Sequence, residues 1–310
     1  MQFALSYPIV RLDPPEELLT ALAMAEICAA AEEAGFAAIG FSEHPATPLS
    51  WRDDHGHDAL DPFVGLAVAA AQSATLRLLS YTAVLAYRNP FLLAKAVATL
   101  DRVSAGRVVL GVGAGYLRGE FEALGADFDQ RNAAFDEAIT VLRQAWTGQP
   151  VTFRGRGFEA REVVCRPTPR QERIPIWIGG NSVLARRRVA RWADGWLPIR
   201  TQGHQVARRS TAALGTVAEL AAMIAQLRAD REQAGQRAPL DVLYNADDLD
   251  PLRDTGEYLG RVRQLERAGV TWLNYVPPGP GLDQATAQIL RFGRTIIAPA
   301  SDRAVAPARA

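Results

Sequence analysis

The stretch that decides the fold runs from Leu76 to Gly115: LRLLSYTAVL, then AYRNP, then FLLAKAVATLDRVSAGR, then VVLGVGAG. A continuous apolar run, Leu76–Leu85, leads to Arg88-Asn89-Pro90 and a helical stretch. A second apolar run, Val108–Val112, then opens into Gly113-Ala114-Gly115-Tyr116. Strands buried on both faces read as unbroken apolar runs, and two parallel strands need a crossover helix between them. The stretch is therefore one strand–helix–strand unit. Working outward, the same cycle recurs at Gln2–Tyr7, Ala37–Phe41, Ile174–Ile178, Gly195–Ile199, Leu240–Tyr244 and Val270–Val276. Eight such runs predict an α/β protein, a single closed (β/α)8 TIM barrel, whose chemistry sits at the C-terminal ends of its strands.

A length of 310 residues suits one such barrel, and 48% apolar residues supply a large core. The barrel is expected over residues 1–298, with a flexible tail at 299–310. Residues 151–170 break the rhythm. Val151–Phe153 and Phe158–Val164 alternate around Gly155-Arg156-Gly157, which reads as a hairpin inserted between helix 4 and strand 5. Two helix starts carry their own signals: Asp61-Pro62, and Pro14-Pro15 ahead of a stretch that Gly35 would stop. Gln202–Thr216 has no clear pattern.

Lys+Arg and Asp+Glu both number 34, so no basic stripe points to nucleic acid and no charge block points to a membrane surface. Lys95 is the only lysine. Cys28 and Cys165 lie far apart in apolar surroundings, which suits a reducing compartment and no metal. Met1 leads directly into the first strand and no apolar run is long enough to span a bilayer. The expectation is a cytoplasmic protein without a signal peptide.

Four segments could carry chemistry. Glu43-His44 ends strand two, where an imidazole can donate, accept or carry a proton near neutral pH; a plain loop histidine before Pro45 is the alternative. His55 and His57 share a loop with Asp53, Asp54 and Asp58, but without ligand spacing the loop reads as solvated rather than metal-binding. The run Gly111-Val112-Gly113-Ala114-Gly115 lets a backbone or flat ring approach, or serves a tight turn; it is not the dinucleotide fingerprint. Gly179-Gly180-Asn181-Ser182 joins a strand to a helix N-terminus, a setting that favours phosphate, although Ser182 could equally be a plain N-cap.

With these segments in order, the chain resembles the luciferase-like monooxygenase superfamily of flavin- and deazaflavin-dependent oxidoreductases. The likeness spans roughly Gln2 to Ile297. Its strongest stretch joins Arg88-Asn89-Pro90-Phe91-Leu92-Leu93-Ala94-Lys95, Thr99 to Arg107, Leu110 to Tyr116 and Glu120 to Gly125; a second block is Pro175 to Gly180 with Ala193-Asp194-Gly195-Trp196. The pattern looks like the branch that uses coenzyme F420. The resemblance implies a cofactor ring at the barrel mouth, with His44 beside the reactive face and Glu43 as its partner or a cofactor contact. It implies a bulge, often with a non-prolyl cis peptide, at Thr82-Ala83-Val84 behind the ring. Gly113, Ala114 and Gly115 would border the ring, Tyr116 would bond substrate or cofactor, and Gly179, Gly180 and Asn181 would take the phosphate. A well-known sugar-phosphate-oxidising member has a glutamate where this chain has Tyr116, which argues against that substrate. The implied activity is hydride transfer between F420 and a small organic substrate by a homodimer. The alternatives are an FMN-dependent monooxygenase fed by a separate reductase, and a non-catalytic flavin- or deazaflavin-binding protein.

Overall fold

The computed structural model describes residues 1–53, 56–203, 206, 211–246 and 248–301. Eight parallel strands form the barrel: β1 (Gln2–Ser6), β2 (Ala38–Phe41), β3 (Arg77–Ser80), β4 (Val108–Gly113), β5 (Ile176–Gly179), β6 (Gly195–Leu197), β7 (Asp241–Asn245) and β8 (Trp272–Tyr275). Each pairs with its sequence neighbour; β8 pairs back to β1 and closes the ring. The eight main helices are α1 (Ala21–Ala34), α2 (Pro62–Gln72), α3 (Pro90–Val103), α4 (Arg131–Ala145), α5 (Val183–Trp192), α6 (Val217–Gln233), α7 (Thr255–Ala268) and α8 (Leu282–Phe292). Every expected run contains a barrel strand, with ends displaced by a residue or two, except Leu76–Leu85, whose first piece ends at Ser80.

The two-sided burial of the strands is visible in β1. Phe3 and Leu5 face the helices, while Ala4 faces inward. The barrel interior is filled by Ala4, Ala38, Leu79, Val109, Trp177, Leu197, Leu243 and Trp272. Alanines on β1 and β2 leave room for two tryptophans, Trp177 and Trp272, packed edge to face with ring centroids 5.3 Å apart. The lower barrel is a plug, so only its mouth can admit a ligand.

Caps set the helix ends. Asp61 Oδ1 accepts the Phe63 and Val64 N–H groups at 2.9 and 3.0 Å, and Asn89 Oδ1 accepts those of Phe91 and Leu92 at 3.0 and 3.3 Å. In each case Pro follows at the first helical position, where its missing N–H leaves nothing unpaired. Helix α1 begins later than Pro14-Pro15 implied. Glu16–Leu19 form one 3-10 turn, Thr20 is extended, and its hydroxyl takes the Ala23 N–H at 3.1 Å. Gly35, at φ 87°, stops the helix as expected.

Strand three is split. After Ser80 the Tyr81–Thr82 peptide is cis, and Ala83–Val84 rejoin β4 at Val112 and Gly113. Ser80 Oγ donates to Gly111 O at 2.9 Å across the gap. Val151–Gly155 and Phe158–Val163 form an antiparallel hairpin between α4 and β5, outside the barrel sheet. Residues 302–310 of the expected tail lie outside those described, as do His55 and much of 202–216. Among the described residues no helix is long and apolar enough to cross a membrane.

Candidate functional site

The mouth is built from the loops after β1, β2, β3, β4 and β5. Glu43 and His44 end β2 side by side but have different partners. The Glu43 side chain turns into the protein and is 2% exposed. Its Oε2 accepts the Val84 N–H at 2.6 Å and its Oε1 accepts Arg88 Nε at 2.6 Å; Arg88 Nη2 closes on the same oxygen. Arg88 also donates to Asp61 Oδ2 at 2.9 Å and lies 5.0 Å over the Phe63 ring. Burial pushes the Glu43 carboxyl above the usual carboxylate range, against the pull of Arg88. Glu43 is thus the fastening that holds the re-entrant Val84 backbone in place, rather than the partner of His44.

The partner of His44 is Glu120, which the sequence reading did not single out. His44 Nδ1 lies 3.0 Å from Glu120 Oε1, with the two side chains 11% and 3% exposed. Paired with a carboxylate, Nδ1 is the donor, so Nε2 is the ring nitrogen left for proton exchange. Glu120 comes from the short helix Arg118–Ala123 after β4. Phe121 anchors that helix: it is fully buried, with its ring 5.3 Å from Tyr87 and 5.2 Å from Phe128. Gly119 permits the close approach, because a Cβ there would stand 2.6 Å from Pro48 Cγ in the loop after β2. The buried Tyr87 hydroxyl is held protonated by burial first and then by the charges of Glu43 and Glu120.

An aromatic collar surrounds His44. Its ring centroid is 4.4 Å from that of Trp51, 4.8 Å from that of His57 and 6.3 Å from that of Tyr116, the last two edge to face. His57, expected to be solvated, therefore belongs to the site; its Nδ1 lies 2.9 Å from Asp58 O. A cleft of about 520 Å³ opens beside His44 between the loops after β1 and β2.

The expected ring-binding segment separates into two kinds of residue. Thr82, Gly113 and Gly179 form a partly exposed shelf: a Cβ on Gly113 would meet Thr82 Oγ1 at 3.1 Å, and one on Gly179 would meet Thr82 Cγ2 at 3.6 Å. A shelf with one small side chain between two glycines fits a flat ring. Ala83 and Val84 are buried beneath it, at 0% and 8% exposure, so they support the shelf and offer no surface to a ligand. Ala114 packs on the core, and Gly115, at φ 81°, leaves room for Phe121, which a Cβ would meet at 2.6 Å.

The phosphate expectation needs a similar correction. Asn181 is fully buried. Its Nδ2 donates to Ile199 O at 2.6 Å and Ala212 O at 3.1 Å, its Oδ1 accepts the Ile199 N–H at 2.9 Å, and its own N–H donates to Thr211 Oγ1 at 2.9 Å. The Gly180 N–H donates to Leu197 O at 3.1 Å. These two residues clamp the loop and keep no donor for an anion. The donors that remain are at the start of α5, where Ser182 Oγ takes only the Ala185 N–H and the preceding Val183 and Leu184 N–H groups have no partner within the helix.

Polar side chains deeper in the mouth also went unread. Tyr81 OH donates to Asn245 Oδ1 at 3.2 Å, and Asn274 Nδ2 donates to Ser6 Oγ at 2.9 Å. The available signal was a polar residue near the C-terminal end of an apolar strand.

The mouth of this barrel therefore holds a carboxylate-held histidine and, on the strands after it, a shelf of Thr82, Gly113 and Gly179. The sequence profile of the luciferase-like monooxygenase family matches residues 1–247. The chain belongs to that family and is an oxidoreductase of it. It is 32% identical over 231 residues to an uncharacterized protein of Mycobacterium tuberculosis, covering 74% of this chain and 72% of the relative. It is 33% identical over 178 residues to the F420-dependent glucose-6-phosphate dehydrogenase of Nakamurella multipartita, covering 56% of this chain and 51% of that one. The fold is shared with the long-chain alkane monooxygenase LadA at TM-score 0.76 and 14% identity, covering 100% of this chain and 93% of that chain. It is also shared with an F420-dependent secondary alcohol dehydrogenase at TM-score 0.73 and 16% identity, covering 96% and 98%.

Proposed function

We propose that this enzyme transfers a hydride between coenzyme F420 and a small organic substrate. The observation that carries the reading is His44, held through Nδ1 by the buried Glu120 and lining a cleft at the barrel mouth. When bound, F420 supplies a ring carbon that takes or gives a hydride. The protein supplies the rest. Thr82, Gly113 and Gly179 would carry the ring, and the first turn of α5 would carry its phosphate. His44 Nε2 takes the proton that leaves the substrate oxygen, or returns it in the opposite direction. Trp51, Tyr116 and His57 pack around the His44 ring and fix its orientation. Relatives named as F420-dependent dehydrogenases support the choice of cofactor. A fold neighbour that carries a modified FMN supports the flavin alternative.

The test is equilibrium binding of oxidised F420 and, separately, of FMN to the purified protein, followed by fluorescence. Micromolar or tighter binding of F420 with none of FMN is expected. The reverse would replace the hydride reading with a flavin monooxygenase, and binding of neither would remove the shelf assignment.

A further inference from the structure

The cleft beside His44 is walled on one side by apolar groups, among them Ile9, Pro14, Leu19 and Leu60. Its charged lining consists of Arg52, Asp13 and Asp58. These three form a closed unit. Arg52 Nη2 donates to Asp13 Oδ1 at 3.1 Å and Arg52 Nη1 donates to Asp58 Oδ1. The second oxygen of Asp58 accepts the Asp13 N–H at 3.0 Å, and the Asp58 N–H donates to Arg11 O at 2.9 Å. Among the described residues that line the cleft, Arg52 is the one permanent cation, and two carboxylates already hold it. With one guanidinium against two carboxylates, the unit carries a net charge of −1. An incoming phosphate or carboxylate would meet a guanidinium whose charge two aspartates already more than offset. The net negative charge repels an anion.

We infer that the cleft takes a substrate without negative charge, an apolar body ending in a hydroxyl or carbonyl at His44. The inference rests on the reading that His44 exchanges the substrate's proton. In the oxidative direction F420, when bound, would supply the acceptor for the substrate's C–H hydride and its two electrons. The O–H proton passes to His44 Nε2, and the substrate leaves as the carbonyl; the reductive direction is the reverse. The relatives named as glucose-6-phosphate dehydrogenases are named for an anionic substrate. On this inference the present chain does not share it, because the described residues lining its cleft offer an anion no unclaimed cation.

The experiment uses the full 15N-labelled chain, following the His44 and His57 ring signals and the Arg52 Nε–H signal. The probes are inorganic phosphate and glucose 6-phosphate, titrated through the millimolar range. Wild type should show no saturable shift at these three residues. The double variant D13N/D58N, which frees Arg52 while keeping an oxygen acceptor at both positions, should gain saturable phosphate binding, tighter by about tenfold or more. Saturable binding to wild type at these residues would overturn the inference. So would the absence of any gain in a folded D13N/D58N, with folding checked by its melting transition. The Asp13 side chain is 88% exposed, so D13N alone carries the same test without threatening the fold. F420 binding is measured on the same samples. Its loss would remove the hydride reading, while the phosphate titration still reports whether the cleft rejects anions.

Discussion

The side chains of Glu43 and Glu120 are buried to the same degree, 2% and 3% exposed, on adjacent arms of one barrel rim. Their work differs because their partners differ. Glu43 meets a guanidinium and a backbone N–H, so its carboxylate is consumed in holding Val84. Glu120 meets an imidazole that lines an open cleft, so its carboxylate acts on a group that can exchange protons. Burial alone does not separate a structural carboxylate from a functional one; the mobility of the partner's proton does.

The largest expected effect lies on the Glu43 arm. R88A leaves a buried carboxylate without its cation and should cost about 3–5 kcal/mol in urea unfolding at neutral pH. The loss should shrink in acid. Glu43 titrates above the usual carboxylate range in the fold, so its neutral form is tolerated there and the penalty grows as pH rises through its folded value. A pH-independent loss would mean that Arg88 matters through its packing on Phe63 instead.

On the Glu120 arm, E120Q should leave the melting point within a few degrees but lower turnover by about tenfold or more, since a positioned proton-transfer group is worth about 10²–10⁴. The 15N shifts of the His44 ring should report a changed tautomer balance even before a substrate is known. Unchanged shifts would break the comparison, leaving Glu120 as another structural carboxylate.

N89A removes the cap of α3, next to Arg88, and should cost about 1 kcal/mol with no change in cofactor affinity. The smallest effect is at the closed end of the barrel. Glu32 Oε1 accepts Ser73 Oγ at 2.6 Å and Thr75 N at 3.1 Å, and these bonds hold its carboxyl below its ordinary value. That contribution is present above pH 4.5 and is lost as pH falls through the lower folded value. E32Q should therefore flatten the acid side of the stability profile and leave the mouth untouched.

The eight strands were legible because two-sided burial writes itself as apolar runs. The Asn181 clamp was not, because its partners Ile199, Thr211 and Ala212 lie in and beside a segment with no periodic pattern. Glu43-His44 was legible as a site by its place at a strand end, and its neighbour in sequence was the natural partner to assign. The actual partner lies 76 residues away. Glu120 and Glu122 are equivalent in composition; the anchoring of Phe121 and the approach of Gly119 to Pro48 bring the first of them to His44. His57 was read as solvated because polar flanks conceal a ring that folds back onto its neighbour.

The clamp at Asn181 has a consequence for how the rim can diversify. One carboxamide fixes Ile199 and Ala212 to the loop after β5, so the two loops are exchangeable only as a pair. A graft or insertion between 199 and 212 must return one amide and two carbonyls in register with residue 181. The described residues of the loop after β2 are tied instead to the loops after β1, β3 and β4.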